Sequence, residues 1–189
     1  MDNKFTKLLN KLKPTEAPSE YVSDKYDVND MVNEVADASH ALSTEDVEKI
    51  LNAESSGGQF LQNPISSAKG NFQFIDKTRK ETLEGLKNQG NDEIPSNPLR
   101  QDALLMKTLV NKGENALLNS QKGAKKPDLE SLYLMHHYGI QGGLNTLNNP
   151  EDDLSKARFR NIRAQLAKKP LTDEKGKPAK NLLELLKDK

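Results

Sequence analysis

The first candidate for chemistry is a carboxylate at the end of a predicted helix. An apolar stripe runs along residues 43–56 at helical spacing, at Val47, Ile50 and Leu51. Glu54 takes the next position on that stripe, directly before the Gly57-Gly58 pair that ends the predicted helix. Partial burial of this carboxyl group raises its pKa, as a general acid requires near neutrality. The alternative is a glutamate that turns to water at a helix end, and the spacing alone does not exclude it.

Two adjacent histidines end another predicted helix, which begins after the N-cap Asp128 and reads LESLYLMHHY. Tyr133 and His136 share its apolar face, and His136 lies at the C-terminal end of that face, as Glu54 does in its own helix. His136 is therefore either a cleft residue or a hydrogen-bonded core histidine, whereas His137 is predicted to be more exposed. Because neighbouring residues on a helix point in different directions, the two histidines are not expected to bind a metal, and no cofactor is predicted.

The segment that begins near Glu54 carries an ordered set of motifs. The sequence AESSGGQFLQNPISSAKGNFQFI resembles the soluble lytic transglycosylase family, in which a Glu-Ser pair at a helix end precedes a polar loop, a Ser-x-x-Gly segment and a Gly-x-x-Gln motif. The matching residues here are Glu54-Ser55, 67–70 and 70–73. The resemblance implies that Glu54 is the single catalytic acid and base. It also implies that Ser55 orients the reacting groups and that Gln73 lines the sugar-binding cleft.

The helix that carries the histidines contains a third motif of the same family. The segment 133–139, followed by Gly142-Gly143, resembles a form found in phage-associated relatives. His136 stands where the common form of the motif has a tyrosine. The resemblance covers residues 43–187. It implies a mainly α domain of the goose-type lysozyme and lytic transglycosylase kind, with at most a small β-hairpin near residues 60–75.

Four side chains around these motifs are candidates for contacts with sugar rings. Tyr133 and His136 are expected in the cleft from their shared helix face. Phe72 flanks Gln73 and is expected to offer an apolar surface, with core packing as its alternative. Ser67 is expected to donate hydrogen bonds to acetamido groups, with loop solubility as its alternative.

The reaction that the resemblance implies uses one carboxylate. Glu54 protonates the glycosidic oxygen between N-acetylmuramic acid and N-acetylglucosamine and then removes the proton from the muramic C6 hydroxyl, giving a 1,6-anhydro end. Asp76 is the nearest other carboxylate in the motif region, and it is expected to cap the next helix instead. Attack by water would make the enzyme a muramidase. A non-enzymatic lysozyme-like module that binds the wall is the other alternative.

Several helices must position these residues. Ser43 and Asn97 are expected N-caps, like Asp128, and Pro98 follows Asn97 at the first helical position. Besides the two helices already described, apolar spacing and caps predict helices over about 28–42, 76–86, 98–113, 154–168 and 181–187. Residues 1–42 are interpreted as a flexible or partner-docking segment, and 43–189 as the folded domain. Within the first segment, 1–13 is amphipathic. It is expected either to fray or to dock on another protein, and 14–27 is interpreted as a linker.

The composition limits the classes of partner. The chain has 189 residues, with 28 basic and 28 acidic side chains, so it lacks the basic excess that nucleic-acid binding requires. It has no cysteine, and no apolar stretch is long enough for stable membrane insertion. The first residues do not form a signal peptide. We therefore expect a virion-associated protein that acts on peptidoglycan glycan strands in the bacterial periplasm. Residues 1–13 would then contact other virion proteins.

Overall fold

The computed structural model describes residues 26–90, 94–120, 126–173, 176–179 and 186. Two sequence predictions therefore lie outside the described residues: the docking segment 1–13 and, apart from Leu186, the final helix over 181–187. Within the described part the chain is mainly helical, as the sequence predicts. None of the described helices is both long enough and apolar enough to cross a lipid bilayer.

Six helices follow one another in the described part of the chain. They are α1 (Val28–Asp37), α2 (Thr44–Ser55), α3 (Asp76–Asn88), α4 (Pro98–Leu118), α5 (Leu129–Asn148) and α6 (Asp153–Leu166). Helix α4 packs against α1, α3 and α5, while α6 packs against α5 and α2. Helices α2 and α5 thus reach the same core through shared neighbours.

Side-chain caps start three of these helices where the sequence predicts them. The Ser43 hydroxyl accepts from the backbone N–H of Asp46 ahead of α2, and Asp128 accepts from Ser131 ahead of α5. Asn97 caps α4 with proline in the first turn. The prediction for Asp76 is wrong. Ile75 holds the N-cap position of α3 without a side-chain hydrogen bond, and the Asp76 carboxylate pairs with Lys69 at 2.7 Å.

The folded core begins earlier in the chain than the sequence indicates. Helix α1 buries Met31, Val32 and Val35, which join the same hydrophobic cluster as the residues of α2 and α4. At the other end of α1, the buried Glu114 carboxylate of α4 accepts from the Ser39 hydroxyl at 2.6 Å. Residues 26–42 therefore belong to the core, although the sequence analysis assigns them to a flexible segment.

Two backbone features shape the region around the motifs. Antiparallel bridges join Gln62 to Lys69 and Lys69 to Phe74. They lie where a small hairpin is expected, and no longer strand occurs among the described residues. Gly139 has φ 73° and ψ 162° inside α5. The sequence predicts a helix end at this glycine. The helix instead breaks there and resumes as far as Asn148.

Candidate functional site

The candidate site is a cavity of about 420 Å³ between the end of α2, the loop that leads into α3, and α5. Its lining includes Glu54, Gln73, Phe74, His136 and His137. Glu54 is in the last turn of α2, where Ser56 takes a left-handed conformation with φ 54° and ends the helix. Val47, Ile50 and Leu51 anchor the other turns of α2 in the core. Glu54 therefore comes from a fixed helix, and its side chain is only 11% exposed.

Three side chains of α5 surround one oxygen of the Glu54 carboxyl group. The Tyr133 hydroxyl donates to Glu54 Oε1 at 2.7 Å. The Nε2 atoms of His136 and His137 lie 3.5 Å and 3.4 Å from the same oxygen. Since all three contacts are made to Oε1, the donors are concentrated on one side of the carboxyl group.

These donors reverse the effect of burial on Glu54. Burial alone would raise the pKa of the carboxyl group, as the sequence analysis expects. The hydrogen bond and charge of His137 and the hydrogen bond from Tyr133 act in the opposite direction. Together they hold the pKa of Glu54 below its usual value. The prediction of a raised pKa is therefore wrong, and Glu54 is ionised in the free protein at neutral pH.

The two histidines differ in how far they reach solvent. Burial lowers the pKa of His136, whose side chain is 6% exposed, so its ring is neutral at neutral pH. The His137 side chain is 26% exposed. Burial lowers its pKa too, but the hydrogen bond to Glu54 and the charge of that carboxylate outweigh burial and raise the pKa of His137. The Glu54 carboxylate therefore favours the protonated form of the His137 ring.

A buried ion pair fixes the loop that carries Gln73. Asp102 of α4 accepts from the Asn71 backbone N–H at 2.6 Å and from the Asn71 side-chain amide at 3.0 Å. Its other oxygen accepts from Arg79 of α3 at 2.6 Å. Gly70, with φ +81°, lies so close that an added Cβ would stand 2.5 Å from both Asp102 oxygens. A side chain at position 70 would therefore collide with the Asp102 carboxylate, which explains why the motif has glycine there.

The predicted substrate-binding residues separate into two groups. Gln73 and His136 line the cavity, and Tyr133 reaches it only through its bond to Glu54. Gln73 is held by its own amide, which donates to the carbonyl groups of Phe60 and Gly70 at 3.0 Å and 2.8 Å.

The other three do not line the cavity. Phe72 is fully buried in the core. This confirms the alternative stated for it, core packing. Phe74 lines the cavity instead. The Ser55 hydroxyl is buried, donates to the Leu51 carbonyl and accepts from the Gly58 N–H, so it stabilises the turn after α2. The Ser67 hydroxyl accepts from the backbone N–H of Asp76.

No role at the site was predicted from the sequence for two of its polar residues. His137 follows Tyr133 by four positions, so helical spacing already placed it on the same face, and this signal was available. Gln165 of α6 carried no such signal. Its side-chain oxygen lies 2.9 Å from the Tyr133 hydroxyl and 2.6 Å from His137 Nε2. That pairing spans 28 residues of sequence, and only the packing of α6 on α5 creates it.

Within the described ranges, no group of three or more His, Cys, Asp or Glu side chains is arranged to hold a metal ion. Among known proteins, neither a family model nor a curated sequence matches the chain. The groups of this site that could do chemistry are therefore one nearly buried carboxylate, the donors around it and the cavity that it faces.

Proposed function

We propose that the chain is a peptidoglycan lytic transglycosylase with a lysozyme-like fold, and that Glu54 is its catalytic acid and base. The observation that carries this proposal is the position of Glu54. It is a lone carboxylate at a helix end, lining a cavity with Gln73 and His136, which come from the two other motifs of the resemblance. Three motifs far apart in the sequence thus contribute to one concave site.

The geometry around Glu54 suits a group that alternates between acid and base. Tyr133 donates to Oε1 from inside the protein, so we assign the proton transfers to Oε2. In the first step the protonated carboxyl group gives its proton to the glycosidic oxygen as the bond to the muramic C1 breaks. In the second step the carboxylate takes the proton of the C6 hydroxyl as that oxygen bonds to C1. The donors at Oε1 stabilise the charged form between the two steps.

Neither of the two carboxylates that contact the motif loop suggests a second catalytic acid. Asp76 pairs with Lys69 at the surface, and Asp102 is buried in its ion pair with Arg79. Neither lines the cavity. A single-carboxylate reaction assisted by the substrate's own acetamido group is therefore the scheme that the arrangement supports.

The test is digestion of isolated peptidoglycan by the full chain, with the soluble fragments analysed by mass spectrometry. We expect fragments that end in 1,6-anhydromuramic acid, and a loss of about 10²–10⁴-fold or more in rate for Glu54→Gln. Glu48→Gln is the matched control, because Glu48 is on the same helix but exposed. Fragments heavier by one water would make the enzyme a muramidase. Release of nothing by a folded wild-type chain would refute an enzymatic role and leave a wall-binding module.

We also propose that the chain is carried by a phage particle and opens the wall locally in the periplasm. The support is the resemblance of the segment 133–143 to phage-associated relatives. Immunodetection in purified particles is the measurement. Presence only in the cytosol of infected cells would contradict the proposal.

A further inference from the structure

His137 contacts the candidate acid, yet it takes no part in moving a proton in the reaction proposed above. Its Nε2 atom lies 3.4 Å from Glu54 Oε1 and 2.6 Å from Gln165 Oε1. An amide oxygen only accepts hydrogen bonds, so the ring nitrogen that faces it carries a hydrogen. Gln165 is held in this orientation because its own amide NH₂ donates to Asn161 Oδ1 at 3.3 Å. The Nε2–H of His137 therefore donates to Gln165 Oε1, and the same nitrogen lies 3.4 Å from Glu54 Oε1.

The groups around His137 determine where the proton resides. Those that titrate are Glu54 from α2 and, from its own helix, Tyr133, His136 and Tyr138. Helix α6 contributes the uncharged amide of Gln165. His136 is neutral because burial lowers its pKa, and burial raises the pKa of both tyrosines far from neutrality. When Glu54 and His137 hold one titratable proton between them, that proton is therefore on His137 beside an ionised Glu54, because the pKa of Glu54 is lowered and the pKa of His137 is raised.

We propose that Glu54 and His137 share a single proton, and that cleavage of the glycan draws on this shared proton. The inference rests on the proposed function. His137 acts through Glu54, so it is a positioning residue. As a glycan strand binds, the cationic His137 ring releases the proton of its other ring nitrogen, Nδ1, to water, the electron pair of that N–H bond stays on the nitrogen, and water passes a proton to Glu54 Oε2. His137 Nε2 keeps the hydrogen that faces Gln165. Loss of water favours this transfer, because two buried charges become two neutral groups.

The proton count balances over one turnover. Glu54 gives the proton to the glycosidic oxygen and regains one from the C6 hydroxyl as the 1,6-anhydro ring closes. It then returns that proton to His137, and the site is restored. The consequence for kinetics is that the pair contains one proton at every pH between the pKa values of its two members. The alkaline limb of kcat/KM therefore follows the titration of His137, although Glu54 is the group that meets the substrate.

Nuclear magnetic resonance tests the pairing without any need for activity. The chain has three histidines, and the ring signals of the full chain are followed against pH. We expect His137 to titrate above 6.5, the ordinary value for histidine. In Glu54→Gln its pKa should fall below that value, because burial then acts without the opposing carboxylate. An unchanged His137 pKa in Glu54→Gln refutes the pairing, whether or not the chain cleaves peptidoglycan.

The pH profile of kcat/KM on soluble glycan strands tests the delivery of the proton. In the wild type, the alkaline limb should coincide with the titration of the His137 ring. His137→Gln keeps an N–H donor at this position but does not titrate. Its limb should move to lower pH, with about a tenfold loss per pH unit above the pKa of Glu54. A wild-type limb that follows Glu54, or a limb that does not move in His137→Gln, overturns the proposal. A chain with the pairing but no cleavage refutes the proposed function and the delivery step together, while the pairing stands.

Discussion

The buried Asp102 carboxylate holds the loop that carries Gln73, and Asp102→Asn removes its charge without changing its size. The carboxylate accepts from Arg79 through one oxygen and from two N–H groups of Asn71 through the other. An asparagine offers one oxygen and one NH₂ group, so at least one donor must then face another donor. The Arg79 side chain, 14% exposed, is also left without its counter-ion.

Both effects make this substitution costly. Breaking a buried ion pair by removing one partner costs about 3–5 kcal/mol. Glu114→Gln is the matched control, because Glu114 is a buried carboxylate on the same helix. Its Oε1 accepts from the Ser39 hydroxyl and the His40 backbone N–H at 2.6 Å and 3.0 Å, and a glutamine oxygen keeps both bonds. We therefore expect a loss of only about 1 kcal/mol, the difference between charged and neutral hydrogen bonds.

Urea unfolding followed by circular dichroism measures the two losses. With similar slopes, the midpoint of Asp102→Asn should lie well below that of Glu114→Gln. Peptidoglycan cleavage by the molecules that remain folded should also fall more in Asp102→Asn, because Asn71 precedes Gln73 by two residues. If Asp102→Asn destabilises the chain no more than Glu114→Gln, the ion pair does not hold the loop as argued.

Two further substitutions test the packing of the site. Tyr133→Phe removes the donor to Glu54 and should cost about 1.5–3 kcal/mol at neutral pH in urea unfolding. The pKa of Glu54 is lower in the folded protein than in the unfolded chain, where it is near 4.5. The hydrogen bond therefore stabilises the fold fully above pH 4.5, and this stabilisation is lost as the pH falls through the pKa of the folded state. A Tyr133→Phe loss that is equal at all pH values would contradict this expectation. Gly70→Ala should lower the melting temperature, since φ is +81° and the new Cβ meets Asp102, with strain of at least about 1–2 kcal/mol. Gly85→Ala is the control and should instead stabilise the chain by about 0.5–1 kcal/mol, because Gly85 is inside α3 with open space around it. If Gly85→Ala destabilised the chain as much as Gly70→Ala does, the close approach of Asp102 would not be the cause of the Gly70→Ala effect.

Local signals in the sequence predicted the helices well where caps are strong. Ser43, Asn97 and Asp128 each accept hydrogen bonds from backbone N–H groups within a few residues, and such short-range bonds can be predicted from the sequence alone. Helical spacing also placed Glu54 at the end of a buried face. The role of Asp102 was not predictable, because its partner Asn71 is 31 residues away.

Two of the wrong predictions have the same physical origin. The pKa of Glu54 was expected to rise because burial was the only effect visible in the sequence, whereas the donors that lower it come from α5. Residues 28–37 looked weakly helical and were assigned to a flexible segment. Their apolar side chains are stabilised by α4, which lies about 70 positions further along the chain. Prediction from the sequence failed wherever a distant segment supplied the deciding contact.

The separation of Glu54 from its partners has a consequence for folding. Tyr133 follows Glu54 by 79 residues, and Gln165 follows later still, so the site forms only when α2, α5 and α6 have packed together. An unfolded chain, or a fragment that lacks α5 and α6, contains Glu54 without the groups that set its protonation. Recovery of peptidoglycan cleavage after dilution from denaturant would therefore report the completed packing of these helices, and it should lag behind the recovery of helical content.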